Sequence, residues 1–271
     1  MASPKINADV NITHIGTATA ILQINGVNLL TDPFFSPAGT QWDRGVVILE
    51  NSETPAMALH DLPAIDAVLL SHEDHPDNLD ELGRQLLDGR RVITTMDGAK
   101  NLSPRPDVRG ISPWETLPLN VGGEQFSVTG VPCQHVPGNE CTGFIITSPD
   151  FGETDGLPNA VYFSGDTVYF QELTEMRKRF HISIAIFNVG AAMVPMPPDG
   201  TMKQITMCGK QASRLVQEIG ADVLIPMHYE SWGHFTENGE KLSEVFEKEG
   251  ISEHVAWLQP GVRKVISAKG H

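Results

Sequence analysis

Basic residues are scarce in this chain. Lys and Arg number 19 against 34 Asp and Glu, a formal net charge of −15 over 271 residues. Nucleic acid and anionic membrane surfaces both need a positive footprint, so neither is expected as a partner. A polyanionic substrate would also be repelled unless a bound cation reversed the local sign. Cysteine is equally sparse. Cys133, Cys141 and Cys208 are an odd set without repeating spacing, which argues against a disulfide framework and for a reducing compartment. No stretch approaches the roughly 18 apolar residues of a membrane span. The opening MASPKINADVNITHIG has no basic segment leading into an apolar one, so no secretory signal is read. The expected location is the cytoplasm.

With 40% apolar and 20% charged residues, the composition is that of a globular protein with a sizeable core. No composition break or internal repeat divides the chain, and residues 1–271 read as one domain. Strand-like segments come early: VNITHIG from Val10, ATAILQI from Ala18 and VNLLTDP from Val27. Asn25-Gly26 between the last two is a strong hairpin signal. Residues 36–63 hold no clear period and read as a long surface loop or lid.

AIDAVLLSH then reads as a buried strand, and NLDELGRQLL as an amphipathic helix. Asp77 or Asn78 is expected to cap that helix, with Asp80 and Glu81 at its positive end. RVITT, GEQFSVTGVP, TGFIITS, AVYFSGD and ISIAIFNVG follow as strands. TMKQITMCGKQASRLVQEIG contains a helix closed by Gly220, ADVLIPMH is a strand, EKLSEVFEKEG is a helix, and VRKVIS is a closing strand. Such a mixture suggests sheets with helices packed outside.

The residues that carry chemistry sit where strands end. One strand runs into His72, another leads to His135 in VTGVPCQH, a third ends in Asp166 in VYFSGD, and a fourth in His228 in VLIPMH. Side chains fixed at the rim of a rigid sheet are how a metal site is held. Imidazole with carboxylate suits zinc, and also iron or manganese. Taken singly, each residue has a plainer reading: a histidine after a strand is commonly a satisfied polar group, and Asp166 could shape a turn. The crowd of ligand types in SHEDHPDNLD, with His72 and His75 three residues apart, adds to the metal reading.

LLSHEDHPDNLD, VPCQHVPG, FSGDT and IPMHYESW together resemble the metallo-β-lactamase superfamily. The opening THIGTATAILQINGVNLLTDPFF is similar to the branch that contains ascorbate-phosphate lactonase-like proteins. The resemblance runs from about His14 to about Gly261. It implies a four-layer αββα sandwich, an α/β fold of two mixed β-sheets flanked by helices. It also implies one or two Zn2+ per chain, with Mn2+ or Fe2+ as alternatives.

The family's first motif, His-x-His-x-Asp-His, is altered here. Strict spacing from His72 puts Asp74 at the second histidine. One extra residue after His72 makes His75 that histidine, Asp77 the aspartate and Asn78 the replacement for the last histidine. This register aligns the following LDEL and is preferred, with Asp74 left as the alternative ligand. The resemblance then implies that His72, His75 and His135 hold one metal and that Asp77 and His228 hold a second, with Asp166 bridging. Asn78 is a weak substitute ligand beside imidazole, which places the second metal in question.

Three further groups have two readings each. Asp32 either supports a ligand histidine from outside or forms a turn before Pro33. His14 either lines the site or sits in the core. Tyr229, Trp232 and His234 either form a substrate wall, with Tyr229 or His234 donating to an oxyanion, or pack in a loop. His60, His181, His254 and His271 read as surface histidines. Residues 191–202 read as a loop near the site.

The function implied by the resemblance is a hydrolase that uses metal-bound hydroxide to open a small cyclic ester or amide, a lactone or lactam. Asp77 would orient the water or take its proton, with His234 and Tyr229 as the other catalytic candidates. Two readings compete with it. One is a metal-dependent phosphodiesterase, including the phospholipase-D type. The other is a non-catalytic small-molecule binder on the same fold. The expected partner is a small molecule, and nothing in the sequence opposes a homo-oligomer.

Overall fold

The computed structural model describes residues 2–43, 45, 48–136, 140–196 and 198–269. Two large mixed sheets face each other. The first runs in the order Lys264–Ser267, Val10–Gly16, Thr19–Ile24, Val27–Thr31, Ala67–Leu69, Arg91–Thr94 and Val108–Gly110. Its pairings are antiparallel up to Val27–Thr31 and parallel beyond it. The second runs Val223–Met227, His181–Asn188, Leu157–Phe163, Thr142–Thr147, Glu124–Pro132 and Thr116–Val121. Here the first two pairings are parallel and the rest antiparallel.

The period-2 alternation of strand side chains decides which layer each residue joins. Ile184 and Ile186 face the first sheet and share a buried core with Ile12, Leu22, Leu29, Phe144 and Phe163. Ala185 and Phe187, between and beyond them in sequence, face outward. They pack on the helices Gly209–Ile219 and Gly239–Lys248 through Leu215, Val216, Leu242 and Phe246. On the far side of the first sheet, Leu30, Val68 and Val92 are covered by Leu79, Leu86, Leu87 and Leu102. Leu86 belongs to a short helix, Glu81–Leu86. The layers are therefore helix, sheet, sheet, helix. No described helix is long and apolar enough to cross a membrane.

The hairpin at Asn25-Gly26 forms as expected. Both residues have positive φ, 49° and 86°, the pair of left-handed conformations that a type I′ turn requires. Gly220 closes Gly209–Ile219 in the left-handed conformation, φ 68°.

Other expectations are corrected. The helix after His72 is capped by Asp80, not by Asp77 or Asn78: Asp80 accepts from Gly83 N at 2.7 Å and from Phe35 N, Ser36 N and Ser36 Oγ. Asp77 and Asn78 lie in the turn before it. Residues 36–63 carry a small hairpin, Gln41–Asp43 with Ile48–Glu50, and a 3-10 turn at Leu59–Asp61. Residues 191–202 likewise contribute to a hairpin, Met193–Met196 with Thr201–Gln204. Among the histidines expected at the surface, His60 is exposed. His181 is half-buried against Asp222 Oδ2 at 2.9 Å and His254 against Asp222 O at 2.9 Å. His271 lies outside the described residues.

Candidate metal centre and substrate cavity

The strand ends meet at one rim of the sandwich. His72 follows Ala67–Leu69 of the first sheet. From the second sheet, His135 follows Glu124–Pro132, Asp166 follows Leu157–Phe163, and His228 comes directly after Val223–Met227. Two glycines allow the close approach. A Cβ on Gly165 (φ 57°) would lie 2.6 Å from Thr142 O and 2.9 Å from Ser71 Cβ. One on Gly190 (φ 91°) would lie 2.8 Å from both His228 O and Tyr229 Cα. His228 itself sits at φ 59°, a conformation that costs a non-glycine residue about 1–3 kcal/mol and persists only where its surroundings enforce it.

Six candidate ligands gather into two groups. His72, His75 and His135 form one; Asp77, Asp166 and His228 form the other. In the first, His75 Nδ1 lies 3.0 Å from His72 Nε2 and 3.1 Å from His135 Nε2. The outward nitrogens set the tautomers. Ser71 Oγ donates to Asp32 Oδ2 at 2.8 Å and so receives the Nδ1–H of His72, also at 2.8 Å. His135 Nδ1 donates to Ile205 O at 2.8 Å. Both Nε2 atoms are then lone pairs aimed at His75 Nδ1, which has at most one proton to share between them. Three converging nitrogens in this state fit a cation.

In the second group, His228 Nε2 is 3.4 Å from Asp77 Oδ2 and His228 Nδ1 is 3.4 Å from Asp166 Oδ1. Neither nitrogen is aligned to hydrogen-bond, and both are buried. Asp166 reaches across: its Oδ2 lies 4.0 Å from His72 Nε2 and 3.9 Å from His135 Nε2, while Oδ1 accepts from Asn188 Nδ2 at 2.7 Å. Two buried carboxylates and an unsatisfied imidazole also suit a divalent cation.

The electrostatics agree with the geometry. Burial, then the neighbouring His75 and His135, hold the His72 pKa well below its ordinary value. Burial also lowers that of His135. Both are neutral, as ligands must be. Burial opposes charge on Asp77 and on Asp166, but the imidazoles led by His228 outweigh it, and both carboxyls are held below the usual range. Burial likewise opposes charge on His228, and Asp166 and Asp77 overcome it.

A cavity of about 210 Å3 opens onto these groups. His75, Asp77, His135, Asp166, His228 and His234 line its polar part. Leu49, Val136, Ala192, Val194, Pro195, Met196 and Ile205 make apolar walls. No lysine or arginine is among the described lining residues. The walls come from the two small hairpins and from strand-end segments. Met193 N donates to His234 O at 3.0 Å and ties one hairpin to the turn after His228.

Several expected roles are placed differently. Among the described residues no histidine hydrogen-bonds to Asp32; it accepts from Ser71 N at 2.6 Å, Ser71 Oγ and Asn78 Nδ2 at 3.0 Å, and reaches His72 one link away, through Ser71. Asn78 thus turns its amide nitrogen to Asp32. His234 lines the cavity with a buried, unpartnered Nδ1, and burial lowers its pKa. Tyr229 does not line it. Its ring packs edge-on against Trp257 at 5.9 Å and borders a separate recess of about 40 Å3 behind His228, together with His14. His14 is held there by Thr17 O at 3.0 Å. Trp232 packs on Phe34 and Trp42 beneath the first hairpin.

Ser71 and Asn188 are contributors that sequence reasoning passed over. Each had a signal: Ser71 directly precedes a strand-end histidine, and Asn188 ends a strand at the same rim.

This fold and this pair of ligand groups define a metallo-β-lactamase-type architecture. Residues 27–229 match the family model described as a beta-lactamase superfamily domain, and the chain belongs to that family. A metal-dependent hydrolase of Methanopyrus kandleri is 25% identical over 266 residues, covering 93% of this chain and 98% of that protein. Among solved structures, an isothiocyanate hydrolase from Delia radicum gut bacteria superposes with a TM-score of 0.76 at 21% identity, covering 95% of this chain and all of the other. A metallo hydrolase from Ignicoccus hospitalis gives a TM-score of 0.72 at 20% identity, over 96% and 99% of the two chains.

Proposed function

We propose that this chain is a metal-dependent hydrolase that opens a small, uncharged cyclic ester or amide, a lactone or lactam, bearing an apolar substituent. The observation that carries the reading is the cavity: ligand atoms at its floor, apolar walls, and no lysine or arginine among the described residues that line it. His72, His75 and His135 would hold one Zn2+, and Asp77, Asp166 and His228 a second, with Mn2+ or Fe2+ suited to the more oxygen-rich group. When bound, such a cation acidifies water towards a pKa of about 7 and polarises the electrophile.

The protein's own groups do the rest. Asp77, ionised and lowered in pKa, orients the attacking water rather than removing its proton. His234 presents a neutral ring nitrogen to the oxygen or nitrogen on which charge develops. Leu49, Val194 and Met196 hold the substituent and exclude bulk water. Residues 1–271 act as one domain in this reading, supported by the core that both sheets share.

A second substrate class has a specific observation in its favour. An isothiocyanate is also a small uncharged electrophile with an apolar substituent, and it suits the same walls. A phosphodiester is less favoured because its anionic oxygen would meet only the bound cations, with no lysine or arginine among the described lining residues. The test is turnover of acyl-substituted lactones, β-lactams, aryl isothiocyanates and bis-p-nitrophenyl phosphate, with and without chelator, alongside metal content per chain. Lactone or lactam turnover abolished by chelator is expected. Phosphodiester turnover alone would overturn the reading. Metal retention without any turnover would leave a small-molecule binder.

A further inference from the structure

Cys133 lies two residues before His135, and Cys141 directly precedes the strand Thr142–Thr147. Glu124–Pro132 and Thr142–Thr147 run antiparallel with Pro132 opposite Thr142, so one further step of the register sets Cys133 opposite Cys141. Opposed residues of an antiparallel pair have Cα atoms about 4.5–5.5 Å apart, within the range of about 4.4–6.8 Å that a disulfide spans. Burial, and then the neighbouring Cys133 thiol, push the Cys141 thiol pKa well above its ordinary value. Both thiols also reach the loop that carries Asp166: Cys133 Sγ donates to Ser164 O at 3.4 Å and Cys141 Sγ to Asp166 O at 3.2 Å. They are free and half-buried. They line an open cavity of about 360 Å3, beside Met96 and Glu140, that shares no described lining residue with the substrate cavity. A thiol reagent therefore has its own way in.

We propose that Cys133 and Cys141 form a thiol–disulfide exchange site. Its co-reactant is a small disulfide of the glutathione type, and its closure cross-links the chain two residues before His135. The Cys133 sulfur attacks one sulfur of RSSR, gives up its proton and expels RS−. Cys141, pinned 3.6 Å from His72 Nδ1, loses its proton, attacks the Cys133 sulfur of the mixed disulfide and expels the second RS−. The two protons end on the two RS−. Net, two protein thiols and RSSR give one intrachain disulfide and two RSH. Closure cross-links the chain two residues before His135, so a local opening that would free this ligand gains less chain entropy.

The test uses the metal-loaded full chain in glutathione buffers of graded ratio, quenched with an alkylating agent and read by intact mass and peptide mapping. In oxidising buffer the chain should lose the mass of two hydrogens, carry a Cys133–Cys141 link and alkylate only at Cys208. Reduced glutathione should restore all three thiols. Cys208→Ser should keep the link and Cys133→Ser should abolish it. Three alkylatable thiols at every ratio, a persistent glutathione adduct, or a link through Cys208 would each overturn the proposal. Chelator should strip metal several-fold more slowly from the oxidised form, and equal rates would overturn the coupling to His135. That coupling rests on the ligand reading above. The disulfide does not, so a link formed in a protein that holds no metal would sink the ligand reading and leave the exchange site standing.

Discussion

The imidazole group and the carboxylate group differ in what stands behind them. His72 and His135 each have their outward nitrogen bonded, one to Ser71 Oγ and the other to Ile205 O, so ring orientation and tautomer are set before a metal arrives. His228 has neither nitrogen bonded, and Asn78, beside Asp77 in the chain, leaves its Oδ1 buried without a partner. That side is held by charge, through Asp166 and Asp77 facing one imidazole. Neutral hydrogen bonds preorganise a site at little cost, whereas buried charges wait for a counter-charge. The first group should therefore fill first and hold metal more tightly.

The most damaging way to break this comparison is to remove the residue common to both halves. Asp166→Ala should depress metal affinity at both groups by more than the 10- to 100-fold, roughly, that loss of an outer partner costs, measured by competition with a chromophoric chelator. If only one equivalent weakens, Asp166 does not span the groups. Next, His75→Ala should lower metal content and Asp74→Ala should lower it less, because His75 Nδ1 is the atom on which the other two imidazoles converge. The reverse ranking would restore the alternative register. Ser71→Ala should then cost about 10- to 100-fold at the imidazole group and leave the weaker equivalent nearly unchanged. Equal losses at both would remove the asymmetry.

Why was so much of the centre legible in the chain? Strands announce themselves by β-branched and aromatic runs, and a ligand that follows one is placed by the rigid sheet. His72, His135, Asp166 and His228 could thus be named as candidate ligands without geometry, and the family pattern with one inserted residue made His75 the candidate third imidazole. The walls were not legible. Residues 36–63 and 191–202 were read as loops because three- and four-residue strands such as Gln41–Asp43 and Met193–Met196 are too short for a period to emerge. The Asp32 relay was hidden for another reason: Ser71 intervenes in space between Asp32 and His72, and no spacing in the chain encodes that. Asp80 won the cap from Asp77 and Asn78 through Phe35 and Ser36, residues more than forty positions away.

Asp32 gives a smaller, pH-dependent prediction. Burial pushes its pKa up to about 7, partly offset by the Ser71 amide. A carboxyl raised in the folded state stabilises the fold while protonated. Its contribution is full below the unfolded pKa, near 4, and is lost as pH rises through about 7. In the metal-free protein, the stability difference between wild type and Asp32→Asn should therefore move against wild type across that window, by a few kcal/mol in order of magnitude. The carboxylates of Asp77 and Asp166 are present in both proteins and largely cancel. A difference that is flat with pH in urea titrations at several pH values would show Asp32 ionised throughout.

The smallest expected effect separates two neighbours of His228. Tyr229 immediately follows it, and His234 lies six residues on, but only His234 reaches the substrate cavity. The Tyr229 hydroxyl, its pKa pushed up to about 12 by burial, belongs with Glu53 and Glu230 in the recess behind. Tyr229→Phe keeps the ring that packs on Trp257 and should change kcat/KM by less than about twofold. His234→Ala should lower kcat by about 10- to 1,000-fold, as loss of a donor to developing charge does, with metal content unchanged. If the two variants behaved alike, with Tyr229→Phe as harmful as His234→Ala, the wall of His228 facing the recess would be part of the reacting site and the cavity assignment would have to be redrawn around it.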